Sequence, residues 1–225
     1  MNFNDTNVNM PGIYGFDENF INPTITSPYS ELNVSLYQTK ETLMDPEDYN
    51  RFLKNAETLF RNTRDYKYYK SFLMSIGMNR CQFHSNISSD MDGMTIEMHH
   101  NMLSLFDITF IICEHMLNTQ KYITEFDLVY LLEKVHKEHK VQLVMLSLTP
   151  HQLYHNSYLF VHPKMCFGKW WEFLEEYKYG ITTEIANKIL SYLNQSINED
   201  CSNDYGLLEL RDKIKEWSEY NEYCN

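Results

Sequence analysis

Apolar residues recur along the chain with two periods, and those periods predict helices for most of it and strands at two short stretches. Residues 46–78 carry Tyr49, Phe52, Leu53, Leu59 and Phe60 at helical spacing. Asp45-Pro46 in front of them is a start signal, because a helix's first turn has no use for the N–H that proline lacks; Gly77 is the stop. Residues 85–93 (Ser-Asn-Ile-Ser-Ser-Asp-Met-Asp-Gly) are rich in turn formers. From Met94 to Met98, apolar Met94, Ile96 and Met98 alternate with Thr95 and Glu97, the pattern of a short strand. Leu103–Leu117 reads as a buried helix. Thr124–Lys140 reads as a second helix, with a capping box in Thr124-x-x-Asp127 and an apolar face of Leu128, Leu131, Leu132 and Val135. Val141–Leu146 is a second strand, and Pro150 starts a helix that runs past His155. Trp170–Tyr177 is amphipathic with Trp170-Trp171 packing inward, Thr183–Leu193 is helical, and the last thirty residues form a charged surface helix. No internal repeat is present.

Composition narrows the class. At 225 residues, 43% hydrophobic and 22% charged, the chain suits one globular domain with appendages. Residues 1–45, rich in Asn, Thr, Ser and Pro without a sustained period, read as an extended acidic arm that could dock a protein partner. With only 7 Gly, and neither GxxxxGK[ST] nor GxGxxG, phosphate-loop and dinucleotide folds are disfavoured. The five cysteines include no CxxC and are odd in number, which argues against a secreted disulfide framework and for reduced thiols in a cytoplasm. Residues 1–15 lack the basic and apolar regions of a signal peptide. The most apolar stretch, Met102–Leu117, is broken by Asp107 and Glu114 and is too short to span a bilayer, so no membrane role is expected. The abundance of Asn, Tyr and Ile suits an AT-rich genome such as that of a bacterial virus.

The net charge of -12 is unfavourable for nucleic-acid binding, but it is unevenly spread. Acids concentrate in residues 1–50 and 196–225, whereas residues 51–80 hold seven bases against Glu57 and Asp65. There Arg61, Arg64, Lys67 and Lys70 interleave with Tyr66, Tyr68 and Tyr69, a mixture that can hold phosphates and stack bases. An ordinary helix with snorkelling side chains has the same pattern.

The nine histidines carry the strongest chemical signal. His99-His100 ends the first strand, where neighbours point to opposite faces, so one can ligate a metal while the other does separate work. His151 and His155, four apart on a helix, share a face and can reach one cation. Cys81-x2-His84 is half of a zinc site without an evident second half, and His136 and His139, among lysines at a helix end, read as solvated.

The order Thr95-Ile-Glu-Met-His99-His100, then Gln142-Leu-Val-Met-Leu, then His151-x3-His155 resembles the HNH, or ββα-metal, endonuclease family. The nine-residue step from Gln142 to His151 equals that family's usual step from its Asn to its helix His. The motif covers about 20 residues and differs from the family in three ways. Gln142 replaces Asn, a helical insertion at about 101–140 separates the two halves, and Ser147 and Pro150 stand where many members have zinc-binding cysteines.

The resemblance implies an α+β, predominantly helical fold with a small ββα-metal core in residues 46–195, followed by an acidic C-terminal helix at 196–225. It further implies that His99, His151 and His155 hold one divalent ion, that His100 is the general base, and that Gln142 orients it. Three imidazoles suit Zn, Mn or Ni better than Mg. The implied activity is hydrolysis of phosphodiester bonds in DNA; the basic stretch separately offers Arg61, Arg64, Lys67 and Lys70 as nucleic-acid contacts. The other reading is a non-catalytic viral interaction or structural protein that keeps a degenerate metal-binding core.

Overall fold

The computed structural model describes residues 37–199 and 205–224. Most of the expected arm, residues 1–36, lies outside them. Residues 37–45 are pinned to the body: Gln38 pairs with Ile123 in a β-bridge, and the Leu43 side chain is buried. The fold is α+β and mostly helical, with one two-stranded antiparallel sheet among the described residues.

Asp45 caps helix α1 (Pro46–Asn62), its carboxylate accepting from the amides of Glu47 and Asp48. The single helix expected over 46–78 is in fact two. Thr63 takes an extended conformation and caps α2 (Arg64–Ser75), accepting from the Tyr66 amide while its hydroxyl donates to the Phe60 carbonyl. A threonine that offers the backbone an alternative partner can end one helix and start the next without glycine or proline.

Helix α3 (Leu105–Thr119) forms the centre of the core: Ile108, Ile111 and Ile112 are buried, each worth about 1.5–3 kcal/mol when fully shielded from water. A reciprocal Ser104–Asp107 capping box fixes its start. The expected Thr124–Asp127 box does the same for α4 (Glu125–Lys137). Helix α1 packs on both α3 and α4. At Gly180, which follows α6 (Trp170–Glu176), an added Cβ would sit 1.9 Å from the Ile111 carbonyl oxygen, so glycine is what lets this turn lie on α3.

The strands are β1 (Ile96–His100) and β2 (Leu143–Ser147), paired so that His99 lies opposite Val144 and His100 opposite Leu143. Both begin two residues later than the alternation suggested, and Met94 is exposed outside the sheet. One face carries Ile96, Met98, Leu143 and Met145 into the main core. The other carries Val144 and Leu146 into a smaller cluster with Val161, against which Tyr154, Met165 and Phe83 pack. Helix α5 (Leu148–His155) follows β2 directly and packs on both strands; Pro150 is its third residue rather than its first.

Helix α7 (Thr183–Glu199) packs on α8 (Tyr205–Cys224). The C-terminal helix is more than a charged surface element, since Leu207, Leu210 and Ile214 join the main core. Of the tryptophan pair, Trp170 packs inward and Trp171 is 45% exposed.

Candidate metal centre

Strand alternation decides which histidine enters the site. Glu97 and His99 lie on the β1 face that meets α5; His100 lies on the face that meets the main core. On α5, residues four apart bring His151 and His155 over the same face. The three imidazoles His99, His151 and His155 converge, each offering a ring nitrogen within 4.8 Å of the others.

The contacts are made by Nε2 atoms: His99 to His155 at 3.3 Å, and His155 to His151 at 3.1 Å. His151 Nδ1 lies 3.0 Å from Glu97 Oε2, and because a carboxylate can only accept, that nitrogen is the donor. Neutral His151 then has a bare lone pair on Nε2. Its contact with His155 needs the proton on His155 Nε2, and that proton cannot also be aligned on His99. Neutral imidazoles therefore satisfy only one of the two contacts well, whereas one cation satisfies every lone pair. Metal–nitrogen bonds of about 2.0–2.1 Å at a tetrahedral centre hold ligand nitrogens roughly 3.3 Å apart, close to the separations of the His99–His155 and His155–His151 pairs. Burial, reinforced by the two neighbouring imidazoles, pushes His99 down to about 4, so it is neutral and able to ligate at physiological pH. The Tyr154 ring stands edge-on to His99 at 4.7 Å and holds its orientation. Among the described residues, the buried His99 Nδ1 has no hydrogen-bond partner. His99 and His151 are half-buried and His155 is exposed, which leaves the cluster open to solvent on one side.

The other residues read as site members lie elsewhere. His100 is buried, its Nε2 2.9 Å from Nε2 of His136, and burial holds it well below the ordinary imidazole value. In this conformation it cannot reach a water beside His99. His136 itself corrects the sequence reading: it is 1% exposed, not solvated, and its Nδ1 donates to the Leu132 carbonyl. A donor at Nδ1 makes its Nε2 an acceptor, so His100 supplies the shared proton from its own Nε2. His139 is not free either; its ring stacks on Phe72.

Gln142 is buried and serves a different group from the one expected. Its amide donates to the Tyr192 hydroxyl and accepts from Asn101, and among the described residues no hydrogen bond joins it to His100.

The basic residues sit apart on α1 and α2. Arg61 is paired with Glu57 at 2.6 Å. Arg64, Lys67 and Lys70 are exposed and have no ion-pair partner among the described residues. Tyr66 and Tyr69 are buried in the core, which leaves Tyr68 as the exposed aromatic of that stretch.

Cys81 is buried against Ser147, 3.3 Å from its hydroxyl, while His84 is exposed. Burial pushes the Cys81 thiol up, but hydrogen bonds from the Ser147 hydroxyl and from the backbone of Ser147, Phe83 and His84 outweigh it and bring the thiol below its ordinary value.

Glu97 and Tyr154 complete the site, and sequence reasoning does not single them out. Period two along β1 places Glu97 beside His99, so the signal for the first is present in the chain; Tyr154 requires the packing of α5 on the sheet.

A mostly helical α+β chain with three convergent histidines on a strand–strand–helix frame is the class that fold and site define. Its residues 17–222 match the family model of bacteriophage G278-like virion proteins, and the chain belongs to that family. This agrees with the phage origin suggested by composition. No curated protein and no solved structure matches the chain. Among the described residues no helix is long and apolar enough to cross a membrane.

Proposed function

We propose that this phage virion protein is a metal-dependent, HNH-like endonuclease that hydrolyses phosphodiester bonds in DNA. The observation that supports this reading best is the convergence of three Nε2 atoms at a position open to solvent. Structural zinc sites are closed by four protein ligands, whereas hydrolytic sites keep a position free for substrate. His99, His151 and His155 would hold the ion. When bound, a divalent transition metal supplies Lewis-acid polarisation of a phosphoryl oxygen and acidifies a water. Burial keeps His99 unprotonated, and the hydrogen bond from His151 Nδ1 to Glu97 aligns that second ring. The exposed cations Arg64, Lys67 and Lys70 provide phosphate contacts. Membership of a virion-protein family supports a nucleic-acid substrate, since a virion encloses nucleic acid; host cytoplasm becomes a site of action only after the particle has released its contents.

One observation favours the second reading, a non-catalytic virion component with a metal-stabilised core: His100 is sealed against His136 instead of facing the site. A cleavage assay separates the two. Plasmid and single-stranded DNA are incubated with the protein and Mn2+, Ni2+, Zn2+ or Mg2+. Cleavage that EDTA stops and that His151→Ala abolishes supports the enzyme. If no ion supports cleavage while the same ions raise the melting temperature, the second reading replaces it.

A further inference from the structure

We infer that Glu97 is a positioning residue for the metal centre, one that fixes which nitrogen His151 presents. The inference rests on the metal reading above. Its basis is the 3.0 Å contact between Glu97 Oε2 and His151 Nδ1. A neutral imidazole carries one N–H; with Glu97 holding it on Nδ1, the Nε2 lone pair faces His155 and His99. Without that acceptor the proton is free to sit on Nε2, where it blocks ligation. Glu97 also brings a negative charge next to a centre whose three ligands are imidazoles, which favours a dication.

The scaffold makes the arrangement rigid. Glu97 and His99 stand two apart on one face of β1, and Glu97 lies opposite Leu146 in the paired strand. One five-residue strand thus supplies both a ligand and the group that aims a second ligand on the neighbouring helix. His99, by contrast, has no hydrogen-bond partner for its Nδ1 among the described residues. His151 is therefore set before metal arrives.

The test is titration of the full-length protein with Co2+, read by visible absorbance, for wild type, Glu97→Gln and Glu97→Ala. The Glu97 side chain is 44% exposed, so neither change opens a core cavity, and melting of the metal-free proteins checks that folding is kept. Glu97→Ala should weaken Co2+ binding about 10–100-fold, the usual effect of removing an outer-shell partner. Glu97→Gln keeps an oxygen acceptor for His151 and should recover most of that affinity. If all three proteins bind alike, Glu97 does not position the ligand, although the metal reading survives. If Gln binds as weakly as Ala, the effect is one of charge and the positioning role is wrong. If wild type binds no Co2+, the metal reading fails and this inference fails with it.

Discussion

Acidifying the metal-free chain should unfold it through the buried His100–His136 pair. Burial lowers both imidazoles below their ordinary value near 6.5, His136 to about 4. Above about pH 6.5 neither the folded nor the unfolded chain protonates them, so they confer no pH dependence. Between pH 6.5 and pH 4 the unfolded chain takes up protons that the folded one refuses, and stability falls as pH falls. For His136 the loss amounts to roughly 3 kcal/mol by pH 4, and His100 adds to it in the same direction. Against a typical total of about 5–15 kcal/mol this is a large share.

The assay is urea unfolding in EDTA, followed by circular dichroism at several pH values from about 7 down to 4.5. Replacing both residues in His100→Leu with His136→Leu removes donor and acceptor together and keeps similar volume, so stability at pH 7 should change little. The fall towards acid should become shallower, leaving the contributions of the partly buried His99 and His115, whose imidazoles burial also lowers. His136→Leu alone strands the His100 N–H and should cost about 1–3 kcal/mol at pH 7. Equal acid losses in wild type and the double variant would refute the reasoning.

Other outcomes follow from the same geometry. Changing Arg64, Lys67 and Lys70 to Gln should weaken DNA binding and lower its salt slope by up to about 0.9 for each phosphate no longer neutralised, measured by fluorescence anisotropy at several salt concentrations; an unchanged slope returns α2 to an ordinary solvated helix. Gly168→Ala should destabilise by more than about 2 kcal/mol in denaturant unfolding, because its φ of +107° is unfavourable for alanine and its Cβ would fall 2.0 Å from the Val141 carbonyl oxygen. Thr124→Ala should cost about 1 kcal/mol by removing the cap of α4, and normal melting would show that the box is energetically idle.

Local period is the part of this structure that the sequence makes legible. Four-residue spacing places His151 and His155 together, and alternation separates His99 from His100, without any knowledge of tertiary packing. Thr124-x-x-Asp127 marks its helix because both halves of the cap are local. The break at Thr63 is hidden because a threonine cap inside a continuous helical period looks like one more polar position. His136 misleads for a related reason. Its lysine neighbours suggest solvent, yet its side chain points to the core between Phe60, Tyr66 and Tyr69, a fact set by how α4 meets α1 and α2. The partners of Gln142 lie 41 and 50 residues away, and no local pattern announces Asn101 and Tyr192.

The central claim is that His99, His151 and His155 form one metal site, and metal content tests it most directly. Purified protein is exposed to Zn2+, Mn2+ or Ni2+, desalted, and measured by plasma mass spectrometry beside the His151→Ala with His155→Ala variant. The account predicts about one equivalent of a transition metal per wild-type chain and almost none in the variant. Wild type that retains no metal, or a variant that retains as much as wild type, would contradict it.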